Sequence, residues 1–131
     1  MNLSYLLDTS ACIPVLRNQT GLGKLPNPAL TGIPVIVAGE LWTGVKKNLK
    51  THPHQADRLQ AFLDLFWIPE FTLDAAIHYA DIRAALEAAG TPIGPLDLLI
   101  AAQARSIGAT LVTANAEEFV RVKGLKVLAW K

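Results

Sequence analysis

The sequence predicts an α/β fold with three layers, in which helices cover both faces of a short, mostly parallel central sheet. Short apolar segments alternate along the chain with longer segments whose apolar residues recur at helical spacing. This alternation is typical of parallel sheets whose strands are joined by helices. The length of 131 residues predicts one domain over residues 1–131.

Strands are predicted where the chain is briefly apolar and, in most cases, rich in β-branched residues. The predicted strands are residues 3–7, 34–37, 110–113 and 126–129, with residues 67–68 as a further short candidate. Since helices separate these segments, their strands are expected to run parallel.

Helices are predicted where capping residues precede a run of apolar residues spaced three to four apart. The predicted helices are residues 9–16, 38–49, 55–66, 72–89 (capped by Thr72 or Asp74), 95–107 and 116–120. Gly90 and Gly108 end two of them. Residues 19–32 hold three glycines and two prolines, so they are predicted to form a loop.

The composition excludes several classes of protein. Hydrophobic residues make up 51% of the chain and charged residues 18%, which indicates a packed globular protein. A net charge of +1 argues against a strongly basic protein that coats DNA. Cys12 is the single cysteine, so a disulfide framework and a cysteine-based zinc site are excluded. The chain shows neither signal-peptide features nor a membrane-spanning apolar run, which predicts a cytoplasmic protein.

Three acidic residues stand in strongly apolar surroundings. Asp8 follows the first predicted strand, Glu40 lies three residues after the second, and Asp97 lies in the first turn of the helix that begins near Pro95. If these carboxylates converge, they repel one another unless a cation neutralises them. Mg²⁺ and Mn²⁺ are the cations that oxygen ligands favour. Taken singly, each acid is more simply explained as a helix cap or as a first-turn residue stabilised by the helix dipole.

The motifs around these acids resemble those of the PIN-domain ribonuclease toxins of bacterial toxin–antitoxin pairs, the VapC family. The resemblance covers nearly the whole chain, in order and at family-like spacings. Its matching segments are residues 5–9, 37–44, 92–102 and 108–113, followed by 118–122 and 124–125.

The resemblance implies an endoribonuclease that uses Mg²⁺ or Mn²⁺. It assigns Asp8 and Asp97 to the metal and Glu40 to the completion of its shell. Many members carry a fourth aspartate near the position that Asn115 occupies here, and Glu118 is the candidate to substitute for it. Two further departures are Ser10, where the family more often has Asn, and Gly39, where a larger residue is common. Thr9 and Thr113 are expected to orient the carboxylates through their hydroxyls.

Basic residues near the acids are the candidates for contact with RNA phosphates. Lys46, Lys47 and Lys50 lie on the helix that carries Glu40 or just past its end. Further candidates are Arg83, Arg105, Arg121 and Lys123. An ordinary solvated surface explains each of these cations equally well.

The resemblance also implies partners: an RNA substrate, a cognate antitoxin, a second copy of the chain, and operator DNA reached only through the antitoxin. The apolar helix at residues 55–66 is expected to supply such interfaces.

Two functions are alternatives to the endoribonuclease. A non-catalytic module that acts with its antitoxin as a DNA-bound corepressor stays open, because Asn115 is not acidic. A phosphatase that forms an aspartyl-phosphate is disfavoured, because Ser10 stands where that chemistry needs a second aspartate.

Overall fold

The structure, a computed structural model, describes residues 2–18 and 24–130. Its helices and strands follow the predicted order, apart from the segments at residues 34–37 and 67–68 that are described below. In chain order they are β1 (Tyr5–Leu7), α1 (Thr9–Asn18), a short 3-10 helix (Pro28–Leu30), β2 (Thr31–Gly32), α2 (Val35–Lys47), α3 (Gln55–Leu63), α4 (Leu73–Ala88), α5 (Pro95–Ile107), β3 (Thr110–Thr113), α6 (Ala116–Phe119) and β4 (Lys126–Ala129). The loop predicted at residues 19–32 lies partly outside the described residues.

The four strands form one sheet in the order β2-β1-β3-β4, and every neighbouring pair is parallel. The predicted α/β class is therefore confirmed, with helices flanking a parallel sheet. Because β2 lies on one side of β1 and β3 on the other, the strand order reverses between β1 and β3. In parallel sheets a crevice opens at such a point, beyond the carboxyl ends of the strands.

The centre of the sheet is the centre of the core. Leu6 of β1 pairs in register with Leu111 of β3, and Leu7 pairs with Val112. All four side chains are buried. Successive residues of a strand point to opposite faces of the sheet, so their burial requires helices on both faces. This explains why these strands are continuous apolar runs. The rigid core places the residues that follow β1 and β3 side by side.

The strand predicted at residues 34–37 is wrong, because these residues begin helix α2. Pro34 occupies its N-cap position, with φ −53° and ψ 142°. Val37 and Ala38 lie on the buried side of this helix. A short apolar run cannot be assigned to strand or helix from its periodicity alone. The second strand is instead Thr31–Gly32, inside the predicted loop.

The helix predicted at residues 55–66 ends at Leu63, and its apolar side faces the core. Leu59, Phe62, Leu63 and Phe66 are all buried. The apolar residues from which a partner interface was expected are therefore part of the chain's own core. The strand candidate at residues 67–68 reduces to a single parallel bridge between Trp67 and Gly32.

Helix α4 is capped as predicted, because the Thr72 hydroxyl accepts a hydrogen bond from the Ala75 amide at 3.2 Å. Its outward side carries two large apolar side chains. Leu73 is 79% exposed and Ile77, one turn later, is 61% exposed. The residues that α4 buries are Ala75, Ile82 and Leu86. In the chain as described, no helix is both long enough and apolar enough to cross a bilayer.

Candidate active site

Asp8 lies at the carboxyl end of β1 and is only 3% exposed. Its Oδ1 accepts hydrogen bonds from the Ser10 hydroxyl at 2.6 Å and from the Ala11 amide at 3.0 Å. Its Oδ2 accepts a hydrogen bond from the Thr113 hydroxyl at 2.5 Å. A buried carboxylate is tolerated only when its oxygens are satisfied in this way. The side chain is therefore held in one orientation at the strand-order reversal.

Ser10 and Thr113 join the start of α1 to the turn after β3. The Ser10 hydroxyl accepts a hydrogen bond from the Ala114 amide at 2.8 Å. The Thr113 hydroxyl accepts one from the Asn115 amide at 2.9 Å. The Thr113 hydroxyl thus lies within hydrogen-bond distance of Asp8, one of the carboxylates that it is expected to orient. The sequence analysis did not predict a role for Ser10 in the site. A hydroxyl two residues after an aspartate at the end of a strand is nevertheless a known signal for a local hydrogen bond.

Glu40 approaches the same crevice from helix α2. Its Oε1 accepts a hydrogen bond from the Thr9 hydroxyl at 2.9 Å, and the two residues are half-buried. The sequence predicted that Glu40 lies in the first turn of a helix that directly follows a strand. Because α2 begins at Val35, Glu40 lies in its second turn. Its contact with Thr9 comes from helix packing.

Asp97 lies in the first turn of α5, beside Glu118 of α6. Gly94, the N-cap of α5, donates its backbone N–H to Glu118 Oε1 at 3.2 Å. A Cβ at Gly94 would meet Asp97 Oδ2 at 3.5 Å. Both acids therefore lie near Gly94 at the start of α5.

The four acids act on one another electrostatically. The pKa of Asp97 is raised to about 6, first by burial and then by the charge of Glu118 and its hydrogen bonding to Asp97. The charges of Asp8 and Glu40 raise it further. Repulsion between carboxylates gives this direction of shift. We call these four residues the acidic cluster.

The donors of the acidic cluster are all carboxylate oxygens, which suit a hard divalent cation. Within residues 2–18 and 24–130, no three side chains of the His, Cys, Asp or Glu type lie close enough to hold one ion as they stand. Binding a cation would therefore require the carboxylates to draw closer. The donor chemistry and the mutual repulsion both fit a cation at this place.

Asn115 donates its backbone amide to the Thr113 hydroxyl that binds Asp8. It is exposed and occupies the N-cap position of α6, where its side chain makes no capping hydrogen bond. Glu118, one turn further along α6, is the acid that reaches Asp97. Of the two candidates for the fourth position, Glu118 is the one whose charge acts on Asp97.

The predicted RNA-contact residues divide into two groups. Lys46, Lys47 and Lys50 are exposed, and Lys46 Nζ lies 5.8 Å from the centre of the Trp42 ring. Arg105 instead joins parts of the fold, because it donates hydrogen bonds to Asp81, His78 and the Lys123 carbonyl. Arg83 pairs with Glu87 on its own helix at 2.7 Å.

Fold and site together define a class: an α/β protein with a carboxylate cluster at the strand-order reversal of a parallel sheet. Residues 5–125 match the PIN domain family. The chain is 34% identical to the tRNA(fMet)-specific endonuclease VapC of Salmonella typhimurium, over 98% of both chains. It is 35% identical to ribonuclease VapC2 of Rickettsia felis, over 96% of this chain and 97% of that protein.

A solved structure gives the same result. The crystal structure of DNA-bound VapBC from Salmonella typhimurium is similar to this chain with a TM-score of 0.91 at 32% identity. The alignment covers 98% of this chain and 99% of that chain. The chain therefore belongs to the PIN-domain family and, within it, to the VapC proteins. The resemblance that the sequence motifs indicated is confirmed.

Proposed function

We propose that this chain is the toxin of a toxin–antitoxin pair and that it hydrolyses RNA phosphodiester bonds as an endoribonuclease. The observation that carries the proposal is the convergence of Asp8, Glu40 and Asp97 at the strand-order reversal, where the pKa of Asp97 is raised to about 6. The names of the curated relatives, a tRNA(fMet)-specific endonuclease and a ribonuclease, support it.

The acidic cluster is suited to a divalent cation. Asp8 and Asp97 would hold Mg²⁺ or Mn²⁺, and Glu40 would complete the set of oxygen ligands. When bound, such a cation lowers the pKa of a water and stabilises negative charge on a phosphodiester. One ion is the simpler arrangement for three carboxylates, and Glu118 takes the fourth position beside Asp97.

The hydroxyl groups around the cluster hold the carboxylates in place. Thr113 and Ser10 each donate to one oxygen of Asp8, and Thr9 donates to Glu40. Hydrogen bonds that orient the carboxylates in this way reduce the free energy needed to bring them into position for each reaction. Asp8 is thus held at both of its oxygens and Glu40 at one.

Lysines at the end of α2 are suited to the substrate's phosphates. Lys47 lies seven residues after Glu40, so both residues lie near the same face of α2, about 10 Å apart along its axis. Lys46 and Lys50 are also exposed near this end. Their charge would offset the repulsion between RNA and the acidic cluster.

The proposal is tested by incubating the purified chain with total RNA in Mg²⁺, in Mn²⁺ and in EDTA. Discrete cuts that need a divalent cation are expected. Cuts that persist in EDTA would argue against the metal-dependent mechanism. No cuts in any RNA class, from folded protein loaded with cation, would argue against the endoribonuclease.

Removing the Thr113 hydroxyl is expected to lower the cleavage rate about 10- to 100-fold. Thr113→Val keeps the side-chain shape but leaves Asp8 Oδ2 without its donor. Thr113→Ser keeps the hydroxyl and is expected to retain most of the activity. Single-turnover cleavage of one RNA by the three proteins measures this. A loss in Thr113→Ser that is absent from Thr113→Val would mean that the methyl group, not the hydroxyl, matters.

An antitoxin and, through it, operator DNA are the proposed macromolecular partners. The solved relative from Salmonella typhimurium is described as DNA-bound VapBC. Purified antitoxin is expected to stop cleavage, and promoter DNA is expected to shift in a gel only when both proteins are present. A DNA shift caused by this chain alone would contradict that order of assembly.

A second copy of the chain is proposed to pack on the outward side of α4. Leu73 and Ile77 are one turn apart and are exposed well beyond the level of an ordinary surface leucine or isoleucine. The double variant Leu73→Glu, Ile77→Glu is expected to weaken dimerisation at least about tenfold, which corresponds to about 1.4 kcal/mol. Sedimentation velocity over a concentration series measures this.

Val120, which is 66% exposed on the last turn after α6, provides the matched control. Val120→Glu adds one negative charge at another exposed apolar position and is expected to leave the dimer intact. A wild-type protein that sediments as a monomer at micromolar concentration would refute the dimer.

We do not favour the corepressor without catalysis. That alternative depended on the neutral Asn115, but Asn115 is exposed and Glu118 is the acid beside Asp97. The charges of Glu118, Asp8 and Glu40, which together raise the pKa of Asp97, support the endoribonuclease instead.

A further inference from the structure

A groove runs away from the acidic cluster between helices α1, α2 and α3, and none of the roles proposed above uses it. Its volume is about 450 Å³, which lies within the usual range of small-ligand sites. Thr9 and Glu40, the hydrogen-bonded pair of the candidate active site, line its inner end. The groove is therefore continuous with the place where the scissile phosphate would lie.

The walls of the groove are apolar along its length. Leu41 and Val45 of α2 are buried beneath it, and Ile13 and Leu16 of α1 form the facing wall. Apolar side chains of this kind can pack against the face of a nucleobase, which contributes whatever the identity of the base.

Gly44 keeps the groove open. Glu40, Gly44 and Asn48 are spaced four residues apart, so they lie along one face of α2. A Cβ added at Gly44 would meet no other atom within 4 Å. The Asn48 amide lies on the same floor, where it donates to the Gly44 carbonyl at 3.0 Å.

The outer end of the groove is positively charged. Arg17, in the last turn of α1, and Arg58 of α3 line this end, and both are exposed. Arg58 donates a hydrogen bond to the Leu16 carbonyl at 2.9 Å, which directs its guanidinium across the groove. Arg17 lies about 12 Å along the axis of α1 from Thr9. The lining thus carries two positive charges at one end and the single negative charge of Glu40 at the other.

We infer that this groove binds the single-stranded RNA nucleotides next to the scissile bond, with a base against its apolar walls and a phosphate at Arg17 and Arg58. The inference rests on the proposed function and names the part of the substrate that the site holds. RNA fits better than a peptide because the groove joins the acidic cluster at one end and offers cations for a polyanion at the other.

The test compares two glycines of the same helix. Gly44→Leu fills the groove, whereas Gly39→Leu adds the same side chain at an exposed position of α2 that is also free of neighbours within 4 Å. Both changes favour the helix, so loss of folding is not expected from either. The probe is a short, fluorescently labelled single-stranded RNA, and Asp97→Asn is added to every protein to prevent cleavage.

Fluorescence anisotropy is expected to show that Gly44→Leu raises the Kd about tenfold or more, as loss of base packing predicts. Gly39→Leu is expected to change it less than about twofold. Arg17→Ala is expected to reduce the slope of log K against log salt by about 0.7 relative to a surface control, Lys126→Ala. Photocrosslinks from 4-thiouridine in the probe should map to peptides of α1, α2 or α3.

Equal effects of the two leucines, or crosslinks that map elsewhere, would overturn the inference. If wild-type protein still cuts RNA in that case, the proposed function stands and only the groove assignment is wrong. If Gly44→Leu blocks inhibition by the antitoxin but leaves RNA binding unchanged, the groove belongs to the partner protein. If the wild type neither binds nor cuts RNA, the proposed function itself has failed.

Discussion

Asp97→Asn is expected to reduce RNA cleavage at least about a thousandfold and to raise the melting temperature of the protein in the absence of divalent cations. The loss of activity follows from the loss of a charged cation ligand. The gain in stability follows from the repulsion that raises the pKa of Asp97, since Glu118, Asp8 and Glu40 all disfavour its charged form. At pH 7.5 the variant removes that repulsion and keeps the shape of the side chain.

Asp57→Asn is a matched control for this prediction. Asp57 is the third residue of α3, as Asp97 is the third residue of α5, but it is exposed. Its removal is expected to lower stability by about 0.3–1 kcal/mol, because an acid near a helix N-terminus is stabilised by the helix dipole. Activity is expected to stay unchanged.

Thermal denaturation in EDTA distinguishes the two explanations of Asp97. A rise of about 3 °C or more for Asp97→Asn, beside a fall for Asp57→Asn, would support a strained acidic cluster. A similar fall for both variants would mean that Asp97 is an ordinary first-turn acid. That result would restore the simpler explanation which the sequence left open.

Cleavage is expected to depend on a divalent cation and to fall as the pH is lowered through about 6. Below that pH, Asp97 carries a proton and cannot hold a cation, because its pKa is raised to about 6. One proton in competition with the cation gives a decline of about tenfold per pH unit. Excess Mn²⁺ should move the decline to lower pH.

Stability is expected to follow the opposite direction in the absence of cation. A carboxyl group whose pKa is raised on folding binds its proton more tightly in the native state. Its protonation therefore stabilises the protein at acidic pH, and this contribution is lost as the pH rises from about 4, the unfolded value, through about 6. Mg²⁺ is expected to raise the melting temperature more at pH 7.5 than at pH 5.

This pH dependence is measured in buffers of matched ionic strength, with and without EDTA. Asp97→Asn should lose most of the difference in Mg²⁺ effect between the two pH values. An equal effect of Mg²⁺ at pH 5 and pH 7.5 in the wild type would show that the cation binds away from Asp97.

Much of the fold was predictable because local signals agree with the tertiary structure. Strands β3 and β4 and helix α5 have the predicted bounds. Helix α5 begins at Pro95 and ends before Gly108, which has a φ of 70°, and both residues favour those positions. The strand predicted at residues 34–37 failed because its apolar residues satisfy a buried helix equally well.

The sequence by itself determined the family of this protein and the candidate residues for its chemistry. Asp8, Glu40 and Asp97 stand out because charged residues are rare in apolar segments, and a carboxylate there needs a partner. Their type limits the cation to a hard one, and their motifs identify the family. None of these inferences needs a distance.

Only the tertiary structure decided how these residues meet. The hydrogen bonds from Thr113 to Asp8 and from Thr9 to Glu40 span 105 and 31 residues of sequence, so no local pattern encodes them. The proximity of Glu118 to Asp97 depends on how α6 lies against the start of α5. The groove beyond Glu40 exists because three helices separated in sequence leave space above a residue without a side chain, Gly44. Such features arise from packing between distant segments, which the order of residues alone does not reveal.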